Sequence, residues 1–411
     1  MERVIVVAVI NEKEDEALQH RSVEELKSLV TTAHGTVVHT SLQNRRTADV
    51  SRYVGSGKVD ELSELASELE VDVIVINDEL SPRQGQSLSE STGVAVIDRT
   101  QLILDIFAER ARTREGKIQV ELAQLTYLLP RLRGQGLSLS RLGGGIGTRV
   151  PGETKLETDR RHIHRRMDEL KRDLVRVQKH RDVRKHQKQQ GERLHITLVG
   201  YTNAGKTTLL NALTDEQAFA EDLLFATLDP LTRRLRLPSG LEVQVSDTVG
   251  FIRDLPTTLI ASFRSTLEEL QKQDLLVHVV DASSEHADDE VKTVESLLQD
   301  LGASGIETIT VLNKQDEHHS NRETLVSGNA PRIEVSAKTG RNIEELLLLL
   351  EKQIISFMEP YEQVVPAGDG KRLSRLKSTT IVQEEDFDEQ TESYFVKGYA
   401  RSQNRYVNKD N

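Results

Sequence analysis

The sequence predicts an α/β protein of several domains, and three observations carry that prediction. Short apolar runs rich in β-branched residues alternate with helix-patterned stretches over residues 1–100 and again beyond residue 194. Gly200-Tyr201-Thr202-Asn203-Ala204-Gly205-Lys206-Thr207 stands between an apolar run at 194–199 and a helix-patterned stretch at 208–213. Strand, glycine-rich loop and helix in that order make a phosphate cradle, the P-loop. The length, 411 residues, also exceeds one ordinary domain.

Composition narrows the class. A hydrophobic fraction of 36% beside 29% charged residues describes a chain with real cores. The absence of cysteine excludes disulfides and thiolate metal sites. The apolar opening, residues 3–10, ends at Asn11-Glu12-Lys13-Glu14, too soon for a signal segment, and no run reaches membrane-spanning length. A cytoplasmic monomer is expected. The net charge of -12 is unevenly placed: residues 131–190 hold 17 Lys/Arg against 7 Asp/Glu, a local balance of +10. A basic surface for a polyanion on an acidic body follows from that asymmetry.

Four domains are expected, and each has its own pattern. Residues 1–100 alternate strands at 4–10, 36–42, 71–76 and 94–98 with helices at 22–33, 58–69 and 81–89, the pattern of a largely parallel sheet. Gly55-Ser56-Gly57-Lys58 in that stretch lacks the remainder of a P-loop, since Val59 follows where Ser or Thr is needed; it predicts a tight turn opening a helix, with a non-standard nucleotide site as the alternative. Residues 101–193 predict a helical hairpin. Its first helix runs over 101–129 to a stop at Pro130, and its second starts near Thr158. Ile163, Met167, Leu170, Leu174 and Val177 repeat at coiled-coil spacing on that second helix. The connecting loop, 131–153, carries Arg131, Arg133, Arg141 and Arg149 among many glycines and no acid before Glu153. A basic tip of this kind suits RNA. Residues 194–357 form the P-loop domain, and 358–411 a small β-containing domain with strands at 379–383 and 393–399 around an acidic stretch.

Within 194–357 the chemistry-bearing residues come in a fixed order. The backbone of Gly200, Tyr201, Thr202, Asn203, Ala204 and Gly205 would wrap the phosphates, with Lys206 and Thr207 leading into the helix that Thr208 opens. Lys206 would reach the β- and γ-phosphates, and the Thr207 hydroxyl would ligate Mg²⁺. An apolar strand ends in Asp247-Thr248-Val249-Gly250, where Asp247 would hold Mg²⁺ and the Gly250 N–H would meet the γ-phosphate. Between them, Phe225-Ala226-Thr227-Leu228-Asp229 offers Thr227 as a further hydroxyl for metal and γ-phosphate, the first switch segment. A third strand ends in Asn313-Lys314-Gln315-Asp316; a carboxylate there accepts from the guanine N1–H and exocyclic amine, a donor pair that adenine lacks. A fourth ends in Ser336-Ala337-Lys338, whose backbone would meet the guanine O6. Candidate catalytic residues are Lys206, Thr227 and Gly250; candidate metal ligands are Thr207, Thr227 and Asp247. Phe251 stands where related GTPases place a water-orienting glutamine, so slow hydrolysis that a partner accelerates is expected. Asn203 is a candidate for coordinating K⁺.

These segments resemble the HflX GTPases, relatives of the Obg-type translational GTPases, over nearly the whole chain. The resemblance rests on Tyr53-Val54-Gly55-Ser56-Gly57-Lys58, Asp78-Glu79-Leu80-Ser81-Pro82 and Ser140-Arg141-Leu142-Gly143-Gly144-Gly145-Ile146-Gly147. Pro151-Gly152-Glu153-Thr154, Leu156-Glu157-Thr158-Asp159-Arg160-Arg161, Phe225–Asp229 and Asp247-Thr248-Val249-Gly250-Phe251-Ile252-Arg253 extend it. Val150 departs from it, because the family usually has glycine before Pro151. The resemblance implies binding of GTP and GDP and of the large (50S) ribosomal subunit and its rRNA through the basic arm, 131–190. It also implies the splitting of stalled or stressed ribosomes, with subunit assembly or rRNA maturation as the alternative. Some members also hydrolyse ATP through the N-terminal domain. A phosphotransferase and an RNA-binding scaffold stabilised by nucleotide remain readings of other classes; transfer of phosphate to a small acceptor, or equal RNA affinity with GDP and GTP, would favour them.

Overall fold

The structure, a computed structural model, describes residues 1–11, 13, 15–132, 155–188, 194–214, 223–253, 259, 268–317, 330–402, 404 and 407. The glycine- and arginine-rich loop beyond Leu132, with Val150 and the Pro151–Thr154 motif, lies outside them. The chain forms two compact units. One takes in residues 1–179 with Leu223–Phe225 and the segment opening at Arg253; the other holds the remaining described residues.

The first unit begins with a four-stranded sheet. Strands β1 (Arg3–Ile10), β2 (Thr36–Asn44), β3 (Val73–Ile76) and β4 (Ala95–Asp98) alternate with helices α1 (Glu16–Thr32), α2 (Ser56–Glu68) and α3 (Pro82–Thr92). The order is β2-β1-β3-β4 and every pairing is parallel, as the alternation predicts. Helix α1 starts well ahead of the expected 22, because Asp15 accepts from Ala17 N–H and Leu18 N–H and so caps a turn that periodicity does not reveal. A capping box sets the start of α3: Ser81 accepts from the Gln84 N–H, and the Gln84 side chain accepts from the Ser81 N–H. Gly55 opens α2 without a side-chain cap, and Lys58 Nζ pairs with Glu61 at 2.8 Å, so this stretch is a helix start. Tyr53, at φ 66°, is fully buried; its hydroxyl accepts from Val9 N–H and donates to Asp78.

The helical stretch expected over 101–129 is two helices. Helix α4 (Arg99–Arg110) ends at Ala111, and α5 (Arg114–Leu128) starts afresh because Thr113 accepts from the Gly116 N–H. Helix α5 ends at Leu128, short of Pro130 as expected, and a 3₁₀ turn, Leu129–Leu132, carries the chain onward, since proline at the start of a helical turn loses no intrahelical bond. Helix α6 (Lys155–Lys188) is the second arm. Ile118 and Leu122 of α5 pack with Met167 and Leu170 of α6, and Ile163, Leu174 and Val177 extend the seam. Arg166 lies 2.6 Å from Glu121 and Arg114 lies 3.9 Å from Asp173, so the helices run antiparallel.

The second unit is built on six strands in the order β10-β9-β8-β5-β7-β6. In chain order its elements are β5 (His195–Gly200), α7 (Lys206–Leu213), β6 (Leu231–Arg236), β7 (Glu242–Asp247), β8 (Leu275–Asp281), α8 (Ala287–Asp300), β9 (Thr308–Asn313), β10 (Arg332–Glu334) and α9 (Ile343–Ile355). Pairing is parallel except for β6, an antiparallel edge strand. Helices α7 and α9 share a core with the sheet, in which Ile196, Leu198, Leu209, Val243, Val277, Ile309 and Leu346 are buried, and α8 packs through Ala287 and Val291 on Val280 and Leu312 in a separate cluster. The carboxyl ends of β5, β7, β8 and β9 therefore share one edge, where ligands of open α/β sheets bind.

The C-terminal residues make a three-stranded antiparallel sheet, β11 (Glu359–Pro366), β13 (Ser393–Ala400) and β12 (Ile381–Asp388), with α10 (Gly370–Thr379) over one face. Tyr361, Val365, Leu376, Val396 and Ala400 form its core. Strand β11 and helix α10 were not among the expected elements. Alternation in Glu359–Pro366 is masked by its two prolines, which an edge strand tolerates.

Candidate nucleotide site

The P-loop turns from β5 into α7 through two glycines that no other residue replaces. Gly205 has φ 88°, and a Cβ on it would stand 2.3 Å from Asn313 Nδ2. Gly200 lies so close to β8 that a Cβ would meet the Val279 carbonyl oxygen at 2.2 Å. Asn203, at φ 61°, completes the bend, followed by buried Ala204. Lys206 is buried and donates to the carbonyls of Gly200, 3.1 Å, and Tyr201, 2.8 Å. Burial pushes its ammonium down to about 8, against the opposing pull of the Asp247 carboxylate.

Three candidate metal ligands converge beside it. Thr207 Oγ1 donates to Asp247 Oδ2 at 2.6 Å, Thr227 Oγ1 donates to the same oxygen at 3.0 Å, and the two hydroxyls are 2.8 Å apart. Asp247 is fully buried, and its Oδ1 has no hydrogen-bond partner. Burial raises its carboxyl above the usual range, while Lys206 and the two hydroxyls pull it back. An orphaned carboxylate oxygen and two hydroxyls are hard donors, the set that Mg²⁺ prefers, so these residues fit that ion.

The switch residues are held by backbone geometry. Gly250 sits where a Cβ would be 2.7 Å from Thr202 Cα and 3.2 Å from Lys206 Nζ. Thr248 Oγ1 donates to the Leu198 carbonyl at 2.7 Å, and Val249 separates Thr248 from Gly250 in sequence. Phe251 is buried; its N–H donates to Gly200 O at 3.1 Å and its carbonyl accepts from Thr202 N–H at 2.6 Å. Ala226, Leu228 and Asp229 flank Thr227 in a non-regular segment, with Leu228 buried. Phe225 stands apart: it groups with the first unit, at φ 54°, its ring edge-on to Phe107 with centroids 4.8 Å apart.

The residues expected to read the base are tied to the P-loop. Asn313 donates through Nδ2 to the Ala204 carbonyl and accepts at Oδ1 from Ala337 N–H, both at 3.0 Å. It thereby fixes the distance between phosphate loop and base loop. Ser336, fully buried, donates to Asp316 Oδ1 at 2.6 Å, which holds that carboxyl below its usual range; Lys338 Nζ is 4.0 Å from Asp316. Lys314, at φ 62°, pairs with Asp281 Oδ2 at 2.8 Å. Sequence reasoning overlooked Asp281, although a continuous apolar strand ending in a carboxylate on the ligand edge was the signal. Thr208 lies in the first turn of α7, half-buried. Among the described residues no cluster of three or more His, Cys, Asp and Glu forms a metal site. Also among them, no helix is long and apolar enough to cross a membrane.

A parallel sheet with a P-loop after β5, an aspartate ending β7 and a guanine-reading motif after β9 defines the P-loop GTPases. Three family models match: "GTP-binding GTPase N-terminal" over residues 20–108, "GTP-binding GTPase Middle Region" over 110–188 and "50S ribosome-binding GTPase" over 195–314. The GTPase HflX of Alkalihalophilus pseudofirmus is 50% identical over 400 residues, 97% of this chain and 94% of that protein. That of Caldanaerobacter subterraneus is 47% identical over 394 residues, 94% of this chain and 89% of its own length. A GTP-binding protein of Sulfolobus solfataricus in complex with GDP is similar at 23% identity, covering 87% of this chain and 99% of that one, with a TM-score of 0.46. The chain belongs to the HflX GTPase family, and it is a GTPase.

Proposed function

We propose that the chain is a GTP-gated switch that binds the large ribosomal subunit through its basic arm, residues 131–190, and splits stalled or stressed ribosomes. The observation that carries the switch is the meeting of Thr227 with Thr207 and Asp247, all within 3.0 Å. A threonine from the first switch segment shares its partners with the P-loop and with the aspartate of the second. Anything that draws on those oxygens ties all three segments together. The ribosomal partner is supported by the family model described as a 50S ribosome-binding GTPase and by the charge of +10 on the arm.

Hydrolysis transfers the γ-phosphoryl group of GTP to water, giving GDP and phosphate. Mg²⁺, held by Thr207, Asp247 and Thr227, would neutralise charge on the phosphate oxygens. Lys206 leaves its two carbonyl partners for the phosphates, where its lowered proton affinity is restored by the negative charge. The Gly250 N–H donates to the γ-phosphate. Asp316 accepts from the guanine edge, with its carboxylate oriented by Ser336. No side chain in the described part of the site orients the attacking water: the Phe251 ring is buried and carries no polar atom. Intrinsic turnover is therefore slow and a bound ribosome completes the site. Asn203 coordinates K⁺; equal rates in potassium and sodium would remove that assignment. The proposed division is 1–100, 101–193, 194–357 and 358–411.

Sedimentation of intact ribosomes with the protein and a non-hydrolysable GTP analogue tests the reading. Separated subunits are expected, and none after removal of residues 131–148. Binding to the large subunit without separation would instead favour a role in assembly or rRNA maturation, and no binding at all would sink both.

A further inference from the structure

The C-terminal sheet has one face covered by α10, whose Leu376 is buried and whose Lys377 pairs with Glu385 at 2.6 Å. Its opposite face is only half covered. At one end Ile381 joins the core of the GTPase sheet, with Tyr399 packed against it. Beyond them the rows are open. Glu362, Lys397 and Glu384 stand side by side across β11, β13 and β12, and Val364, Phe395 and Asp386 form the next row. Phe395 lies on the central strand yet is 41% exposed, and Val364 beside it is 48% exposed.

Acidic side chains on edge strands are a common defence against edge-to-edge pairing. That accounts for Glu384 and Asp386 on β12, but not for a phenylalanine presented from the middle of the sheet. An aromatic residue flanked by valine and rimmed by charge has the anatomy of an interface centre. The rim is acidic: Lys397 is already paired with Glu362 at 3.0 Å, and its ammonium is held above the usual range by Glu362, Glu384 and Asp386. Such a face repels the phosphates of RNA and complements cations.

We infer that this face, centred on Phe395 with Val364, Glu384 and Asp386, docks a lysine- and arginine-rich protein segment of the large ribosomal subunit that carries an apolar side chain for Phe395. This rests on the large-subunit reading above and names a second contact of opposite charge to the basic arm. The arm would take RNA, and the C-terminal sheet would take protein. Two contacts of different chemistry discriminate better than one, because each rejects what the other binds.

The test uses the full chain with Phe395→p-benzoylphenylalanine, bound to purified large subunits with a non-hydrolysable GTP analogue and irradiated. A cross-link to a basic segment of one ribosomal protein is expected. A cross-link to rRNA alone, to a second copy of the chain, or to nothing while the protein still sediments with the subunit would overturn the inference and leave the large-subunit reading standing. Failure of the unmodified chain to sediment would overturn both. A second variant, Glu384→Lys with Asp386→Lys, is expected to bind subunits roughly 10-fold more weakly. Its GTP hydrolysis without ribosomes and its melting temperature should stay unchanged, whereas unaltered subunit affinity would count against the docking face.

Discussion

At the scale of single residues, the site divides into groups that touch nucleotide and groups that hold those in place. Asn313, expected among the first, also does the work of the second. Its two bonds, to the Ala204 carbonyl and the Ala337 N–H, are both buried. Asn313→Ala would leave two buried backbone groups unpartnered, at about 1–3 kcal/mol each. A loss of about 2–4 kcal/mol by chemical denaturation is expected, with GTP and GDP affinities falling together because neither group reads the γ-phosphate. Unequal losses would point to a role in switching. His278 is a residue the nucleotide chemistry does not use. Burial on β8 pushes its imidazole down to about 4, with Lys206 acting in the same direction. Its folded-state value lies below the unfolded 6.5, so the unfolded chain binds the extra proton first as pH falls. The histidine therefore leaves stability untouched above about pH 7 and subtracts from it between about 6.5 and 4, by roughly 2 kcal/mol at pH 5. Denaturation of wild type and His278→Gln at pH 7.5 and 5 should show the variant gaining about that much relative to wild type; a pH-independent difference would refute it. The motif residues were legible because each needs a particular atom: a hydroxyl, a carboxylate or an absent Cβ. Asn313's stapling and the Ser336–Asp316 bond were less so, since they join loops 109 and 20 residues apart.

At the scale of elements, periodicity located what is long and amphipathic and missed what is decided by a neighbour. The seam of α6 was visible as Ile163, Met167, Leu170, Leu174 and Val177, and these residues do pack on α5. The break between α4 and α5 was not, because a threonine cap ended a pattern that apolar spacing alone would continue. Strand β6 was also missed: Leu231 and Leu235 alternate with arginines, and buried Arg233 looks like a surface residue in sequence. The hairpin allows two kinds of contact to be compared. Leu170 is nearly fully buried between the helices. The Arg166–Glu121 pair is bidentate, at 2.6 and 2.9 Å, but both side chains are about half exposed. Leu170→Ala should cost about 2–4 kcal/mol of local stability through lost transfer energy and a cavity. Arg166→Ala should cost no more than about 1 kcal/mol, because solvent screens an exposed pair. Hydrogen exchange along α5 and α6 measures both. Equal effects would mean that the ion pair, not the seam, holds the arm together.

At the scale of the whole molecule, the two strand–helix series each build a sheet with a core of its own, beside the smaller core of the C-terminal sheet. Ile5, Val7, Leu62 and Ile76 are buried in the first; Ile196, Val243, Val277 and Leu346 are buried in the second. What the sequence did not disclose is that Leu223–Phe225 groups with the first unit while Ala226–Ile252 does not. No local pattern encodes that partition, since it depends on Phe225 meeting Phe107, which lies 118 positions earlier. Separate cores imply separate responses to ligand. The nucleotide site described here is built from residues of the second unit, so nucleotide stabilises that unit by mass action, by about 2.7 kcal/mol at a GDP concentration 100 times its dissociation constant. For a unit of this size that corresponds to a rise of roughly 5–10 °C. Scanning calorimetry of the full chain is therefore expected to resolve two transitions, with GDP and Mg²⁺ raising one and leaving the other in place. The identity of the shifted transition can be fixed with Leu209→Ala, in the core beside the P-loop, which should lower that transition and not its companion. If GDP moved both transitions together, the two units would melt as one cooperative block and the expectation of separate responses would fail.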